Sequence, residues 1–305
     1  MTITQLITHS GGFHADELLS SVILTQLFPD ARLIRTRNKS LLAPASDKII
    51  YDVGGAYDAA AQIFDHHQRP GPLREEDEKL YSSFGLIWRH YGFDYLAAMN
   101  VPANDVAAIH HKFDTNFVTP IDLLDNGAIE PSVAGPLSIL TLPSLLGSLK
   151  PSFDDASPTA DDDTFLVALP IARAFIEAEI RALAANARAK GIVAEAIAKT
   201  GASAILELPM GMPYRSSLAK AEADHVMFMV CPRGEDWTLN GIKLSGDTFD
   251  QRADLPASWA GLSDAALEEA SGVTGAKFCH NARFIAVASS REAIMKMAEI
   301  AVAEL

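Results

Sequence analysis

Thr4-Gln5-Leu6-Ile7-Thr8-His9-Ser10-Gly11-Gly12-Phe13-His14-Ala15-Asp16-Glu17 reads as a strand, a turn and the start of a helix. Residues 4–8 are an apolar-rich strand, and Gly11-Gly12 permits a tight turn. From residue 15 the apolar side chains Leu18, Leu19, Val22, Ile23 and Leu27 recur at helical spacing, which predicts a helix over 15–28 that Pro29 ends. Working outward, residues 31–36 and 48–53 read as a second and third strand, the third closed by Gly54-Gly55. Ile63-Phe64 reads as a short fourth strand, and helical patterns follow at roughly 80–91 and 103–113. Short strands alternating with helices predict an α/β fold: a mostly parallel sheet with flanking helices.

Residues 131–163 break this rhythm with five prolines, several serines and the acidic groups Asp154-Asp155 and Asp161 to Asp163, as a loop-rich boundary would. Helical periodicity returns over 164–199, interrupted only by Pro170 and Gly191, so a long connecting helix or two in series is expected. Beyond residue 203 the chain reads as a smaller α+β unit: three strands, a helix over 264–271, two further strands and a terminal helix over 290–304. The expected division is therefore a domain of residues 1–160, followed by 161–305 as connecting helix and α+β domain.

Bulk properties narrow the function. The chain has 305 residues, 49% hydrophobic and 21% charged, which is the composition of a globular protein and excludes disorder. No apolar stretch approaches the roughly 18 residues of a membrane span, and no secretory signal is evident, so a cytoplasmic protein without a membrane partner is expected. Two cysteines, Cys231 and Cys279, exclude a disulfide framework and a cysteine-based zinc site. A net charge of −14 gives no bulk attraction for long nucleic acid, yet leaves room for a short or single-ended polyanion in a cationic cleft. Oligomeric state stays open, with a homodimer among the options.

The candidates for chemistry stand at predicted strand ends, where open α/β sheets bind ligands. His9, His14 and Asp16 converge on the first turn and form half of a metal site, or else cap the helix. Asp52 ends an apolar strand, where a carboxylate is costly to bury unless a cation or hydrogen bonds compensate; its other reading is a turn aspartate before glycines. Asp65-His66-His67 follows the fourth strand, and adjacent residues on an extended backbone point opposite ways. Asp125 precedes Asn126-Gly127, a turn signal.

The order His9, His14-x-Asp16-Glu17, Asp52-Val53-Gly54-Gly55, Asp65-His66-His67-Gln68 and Asp122-x-x-Asp125-Asn126-Gly127 resembles the family named after melanocyte proliferating gene 1. The likeness continues through Lys79 to Leu86. It resumes in Phe249-x-x-Arg252, Leu255-Pro256, Trp259-x-Gly261-Leu262, Phe278-Cys279-His280 and the Met297-Ala298 helix. The resemblance implies a metal-dependent hydrolase similar to the DHH phosphoesterase superfamily, with a DHH-like N-terminal domain. It implies two ions, Mn²⁺ first with Mg²⁺ or Zn²⁺ as options. His9, His14 and Asp52 would hold one, and Asp16, Asp52, His66 and Asp125 the other, with Asp52 bridging and Asp122 an alternative to Asp125. His67 would face the scissile phosphate, with Asp65 orienting the triplet behind it.

Where the wider superfamily usually carries an aspartate, this chain has His14, which shifts the first site toward borderline metals. Arg252 and His280 would bind substrate from the second domain, Arg252 also offsetting charge on the transferring phosphoryl group. Arg35 and Arg37 flank the expected cleft and could contact phosphates, although ordinary surface charge is the better explanation of that pair. The implied activity is two-metal phosphoester hydrolysis of the 3′-5′ exonuclease kind on RNA or short oligonucleotides. The alternatives are hydrolysis of a small phosphate compound such as pyrophosphate or a cyclic dinucleotide, and a non-catalytic metal-binding regulatory protein.

Overall fold

β1 (Gln5–Thr8) runs into His9 and the Gly11 turn, and α1 (Ala15–Leu27) follows at once. The chain returns through β2 (Arg32–Arg35), then crosses to the other side of β1 as β3 (Lys48–Tyr51). A two-residue β4 (Tyr57–Asp58) and β5 (Ile63–Phe64) complete a five-stranded sheet in the order β2-β1-β3-β5-β4. β2, β1, β3 and β5 are parallel, and only β4 runs antiparallel. Leu6 lies opposite both Leu33 and Ile49, and Tyr51 opposite Phe64. The first strand thus has its sequence neighbours on opposite sides, a topological switch point where α/β sheets open a crevice.

These features belong to a computed structural model that describes residues 2–75, 78–130, 135, 137–245 and 250–305. The expected Phe249 lies outside them, as does part of the expected loop-rich boundary. Among the described residues no helix is long and apolar enough to cross a membrane.

Burial explains the first unit. Ile49, Ile50 and Tyr51 of β3 are buried in succession, as interior parallel strands require. Every residue of α1 from Ala15 to Leu24 is buried, so this helix is packed on all sides, and α2 (Ser83–Ala98) lies against it. α2 begins three residues later than the periodicity predicts and runs seven further. Leu80 pairs with Leu73 in an isolated bridge, while Tyr95 and Leu96 carry the buried face onward. α3 (Ala103–Phe113) passes through a π-turn over Asp114–Val118 into α4 (Thr119–Asp125), of which the sequence shows only the helix-ending turn at Asn126-Gly127. α5 (Leu142–Gly147) and α6 (Ala160–Thr200) follow.

The chain divides into compact units Met1–Ala184 and Ala185–Leu305, inside α6. That helix is one element of 41 residues, with Pro170 within it. The second unit adds β6 (Ile205–Glu207), α7 (Arg215–Lys220), β7 (Phe228–Arg233), β8 (Asp236–Gly241), α8 (Asp264–Ser271), β9 (Ala276–Cys279), β10 (Ile285–Ala288) and α9 (Arg291–Ala303). Its sheet order is β6-β7-β8-β10-β9, with only the β6–β7 pair parallel. Phe228, Leu239, Trp259, Ile294 and Met297 form its core. Ser290 caps α9 by accepting a hydrogen bond from the Ala293 amide.

Candidate metal centre

Three adjacent strands, β1, β3 and β5, end directly on His9, Asp52 and Asp65. Parallel strands bring these ends to one edge, and the start of α1 adds His14, Asp16 and Glu17 to it. Asp52 sits at φ 53°, a left-handed conformation that aspartate tolerates better than branched residues do. Its carboxylate lies at the middle of the cluster. Oδ2 is 3.1 Å from His9 Nε2, and Oδ1 is 3.4 Å from His66 Nε2 and 3.6 Å from His67 Nδ1. The Ser83 hydroxyl donates to the same Oδ1 at 3.3 Å.

Ligand-type atoms gather in three groups, each close enough to share an ion: His9 with His14, Glu17 and Asp52; Asp52 with His66 and His67; and Asp16 with His66 and Asp125. All six residues expected as ligands are therefore brought together, with Asp52 common to two groups. Glu17 was absent from the expected ligands. Its Oε1 is 3.0 Å from His9 Nε2, and both its oxygens accept from the His14 amide, at 2.8 and 2.9 Å. The spacing of His14 and Glu17, three apart at a helix start, was the available signal.

Asp65 supports the triplet from behind. Oδ1 accepts from the amides of His66 and His67 and from His67 Nδ1 at 2.7 Å, while Oδ2 accepts from the Gly55 amide at 2.6 Å. The His67 ring is 62% exposed, whereas His66 faces inward. Gly54 and Gly55 both take positive φ, which lets the backbone turn back toward Asp65.

The electrostatics suit a cation. Burial pushes the Asp16 carboxyl well above the ordinary carboxylate range, and the nearby Asp52, Asp125 and Glu17 push it further. Both Asp16 oxygens are buried without a hydrogen-bond partner among the described residues. Burial also raises the Asp52 carboxyl, but hydrogen bonds from His66 and His9 outweigh it and hold the group well below its usual range. For His9 burial pulls downward, and the bonds to Asp52 and Glu17 carry it up to about 10. Orphaned carboxylate oxygens beside imidazoles are the donor set that a hard or borderline divalent metal completes. The residues present fit such an ion.

Asp122 and Asp125 lie one turn apart on α4 and have different partners. Asp122 is fully buried and accepts from Arg74 Nη2 at 2.6 Å and from the Ser82 hydroxyl at 2.6 Å. Asp125 Oδ2 stands 3.4 Å from His66 Nε2. Of the two alternatives, the geometry brings Asp125 to the cluster.

Arg252 and His280 belong to the second unit. Arg252 Nη1 donates to the carbonyls of Ala223 and Val226 at 2.8 and 2.9 Å, and Nη2 to Asp224 at 3.1 Å. His280 Nδ1 accepts from the Ala282 amide at 3.0 Å, its ring beside Phe284. Arg35 is engaged by Asp162, by the Gly11 carbonyl and by the Phe165 ring, so it braces the first turn.

Fold and site together define an α/β protein with a carboxylate–imidazole centre of divalent-metal type at the switch point of a parallel sheet. The chain belongs to the MYG1 exonuclease family, described as Uncharacterised protein family (UPF0160), whose model matches residues 5–302. It is 31% identical to a MYG1 protein of Saccharomyces cerevisiae, over 98% of this chain and 96% of that one. It is 30% identical to the MYG1 exonuclease of Homo sapiens, over 97% of this chain and 85% of that one. A crystal structure of exonuclease RecJ bound to manganese aligns at 13% identity with a TM-score of 0.27, covering 98% of this chain and 89% of that chain.

Proposed function

We propose that this protein is a metal-dependent phosphoesterase of the 3′-5′ exonuclease kind, acting on RNA or short oligonucleotides. The observation that carries the reading is the shared position of Asp52 between two ligand groups, beside an Asp16 whose carboxylate oxygens are both buried without a hydrogen-bond partner among the described residues, His66 Nε2 standing 3.7 Å from one of them. His9, His14 and Asp52 would hold one ion, and Asp16, Asp52, His66 and Asp125 the other, with Mn²⁺ the first choice. Bound there, divalent ions would supply Lewis acidity toward phosphoryl oxygens and would lower the pKa of water.

The chain's own residues do the rest. Asp65 fixes the His67 ring through Nδ1 and so leaves Nε2 to meet a substrate oxygen or its proton. Asp65 also holds the His66 amide, which sets the ligand's angle. Residues 1–160 carry this chemistry, and the α+β part beyond them serves substrate binding. Arg252 keeps one nitrogen on the exposed Asp224, a partner that a substrate phosphate would replace.

The test compares turnover by the Mn²⁺-loaded chain of an oligoribonucleotide, pyrophosphate and a cyclic dinucleotide. Cleavage of the oligonucleotide is expected, and its survival where another compound is hydrolysed overturns the reading. Asp52→Asn should lose bound Mn²⁺ and at least roughly 1000-fold in rate, the several kcal/mol of charge stabilisation a metal supplies. Unchanged metal content in that variant would remove Asp52 from the shared position.

A further inference from the structure

The cluster has two openings. His14, Asp52 and His67 line both a cavity of about 440 Å³ and a second of about 250 Å³. Arg69 lines the larger cavity, with Gln68 and Asn126. Arg37 lines the smaller, with Gly54 and Gly55.

These two arginines differ from their neighbours. Arg35, Arg74 and Arg89 are each engaged by a carboxylate, at 2.7, 2.6 and 2.6 Å. Arg37 donates only from Nε, to the Ser10 carbonyl at 3.2 Å, which leaves both Nη nitrogens unpartnered among the described residues. Arg69 has no hydrogen-bond or ion-pair partner among them. In the larger cavity the Gln68 side-chain oxygen is also buried without a partner. In a chain of net charge −14, each cavity beside the carboxylate cluster thus presents one guanidinium with open valences.

We propose that the substrate spans the cluster, with Arg69 and Arg37 as positioning residues for phosphates on opposite sides of the scissile one. The inference rests on the phosphodiester reading above and adds a minimum substrate. The larger cavity falls within the range that encloses a small organic ligand, and the smaller falls below it. The terminal nucleoside therefore enters the larger cavity, where Gln68 meets a donor from base or sugar and Arg69 meets a terminal phosphate. The smaller cavity takes the next phosphate along the chain, bound by the free Nη pair of Arg37. A guanidinium suits this task because its planar fork matches two phosphate oxygens. A dinucleotide with a single phosphodiester has no phosphate for Arg37, and a trinucleotide has one.

The test uses the Mn²⁺-loaded full chain with oligouridylates of two, three and five residues. Arg37→Gln should lower kcat/KM about 10-fold on the trimer and pentamer, mostly through KM, and less than about 3-fold on the dimer. In the same variant the slope of log KM against log salt should shrink by about 0.7 on the trimer, the share of one phosphate in a single strand. Arg69→Gln should weaken a dimer bearing a terminal phosphate more than the same dimer without it. Equal losses on dimer and trimer, or an unchanged salt slope, would overturn the two-sided arrangement while the phosphodiester reading stands. If the wild type cleaves none of the oligouridylates, the phosphodiester reading itself fails. Both arginines are exposed, and matching thermal melts establish that each variant is folded.

Discussion

Two buried polar clusters lie within the first unit, and they differ in how their charges are satisfied. In one, Arg74 donates to Asp122 and Asp114 while Ser82 donates to Asp122, and the Arg74 guanidinium stacks over the Tyr81 ring. Burial pushes the Asp122 carboxyl up to about 6, against the downward pull of Arg74 and Ser82. In the other, Asp16, Asp52, Asp125 and Glu17 face four histidines, and both Asp16 oxygens lack a hydrogen-bond partner among the described residues, with His66 Nε2 3.7 Å from one of them. Buried charge is tolerated when paired and hydrogen-bonded, and is costly otherwise. The first cluster therefore serves the fold, whereas the second is arranged for a ligand with more positive charge than its histidines carry. The two are joined through α4, which presents Asp122 to the first and Asp125 to the second.

The largest expected effect comes from breaking the complete cluster. Arg74→Met leaves Asp122 buried without its cation and should cost about 3–5 kcal/mol in metal-free stability, read from urea melts. Adding Asp122→Leu should recover part of that loss, since an apolar pair carries no stranded charge. A loss below about 1 kcal/mol in the single variant would mean that the pair does not anchor α4.

A smaller effect should follow from loosening the support behind the open cluster. Asp65→Asn keeps the shape but exchanges an acceptor for a donor among the Gly55, His66 and His67 contacts. Metal affinity should fall about 10–100-fold, the usual scale for groups that orient ligands. Titration with Mn²⁺ measures it. An unaltered affinity would show that His66 holds its angle without Asp65, and would leave the two clusters less alike in construction than they look.

What the sequence displays of these two clusters is unequal, for physical reasons. His9, Asp52 and Asp65 were legible because each directly follows an apolar strand, and parallel strands in one sheet must end together. The same logic made the β1–α1 unit and the mostly parallel sheet readable. Asp122 and Asp125 could not be separated, because one helical turn divides them and only contact with Arg74 or His66 decides. Arg74 carried no signal at all: its partner Asp122 is 48 positions away, and no motif or periodic pattern includes it. α4 itself was hidden by its seven-residue length and by Asn126-Gly127, which looks like a turn by itself. Arg37 was visible at the expected cleft edge, where surface charge was the preferred reading over phosphate contact. What sets it apart is that it lines a cavity with His14, Asp52 and His67, which no local pattern encodes.

The smallest effect sharpens the comparison most, because its sign differs from that of the others. Asp16 is ionised at a cost in the metal-free chain: burial and the neighbouring carboxylates raise its folded-state pKa above the unfolded value. A carboxyl shifted upward in this way favours folding while protonated, so metal-free stability should fall as pH rises above about 4, until the folded-state proton is lost. Asp16→Asn cannot titrate and should lack that fall, standing about 1–3 kcal/mol above the wild type at neutral pH without metal. With Mn²⁺ present the order should reverse, since the wild type gains binding energy that the variant has lost. Urea melts with and without Mn²⁺ across pH 4–8 measure both arms. If the metal-free variant is the less stable at neutral pH, Asp16 is a structural carboxylate like Asp122 and the second cluster is as complete as the first. If instead the two curves cross on adding metal, the stability forgone at Asp16 is the cost of keeping a binding site open in an otherwise well-packed core.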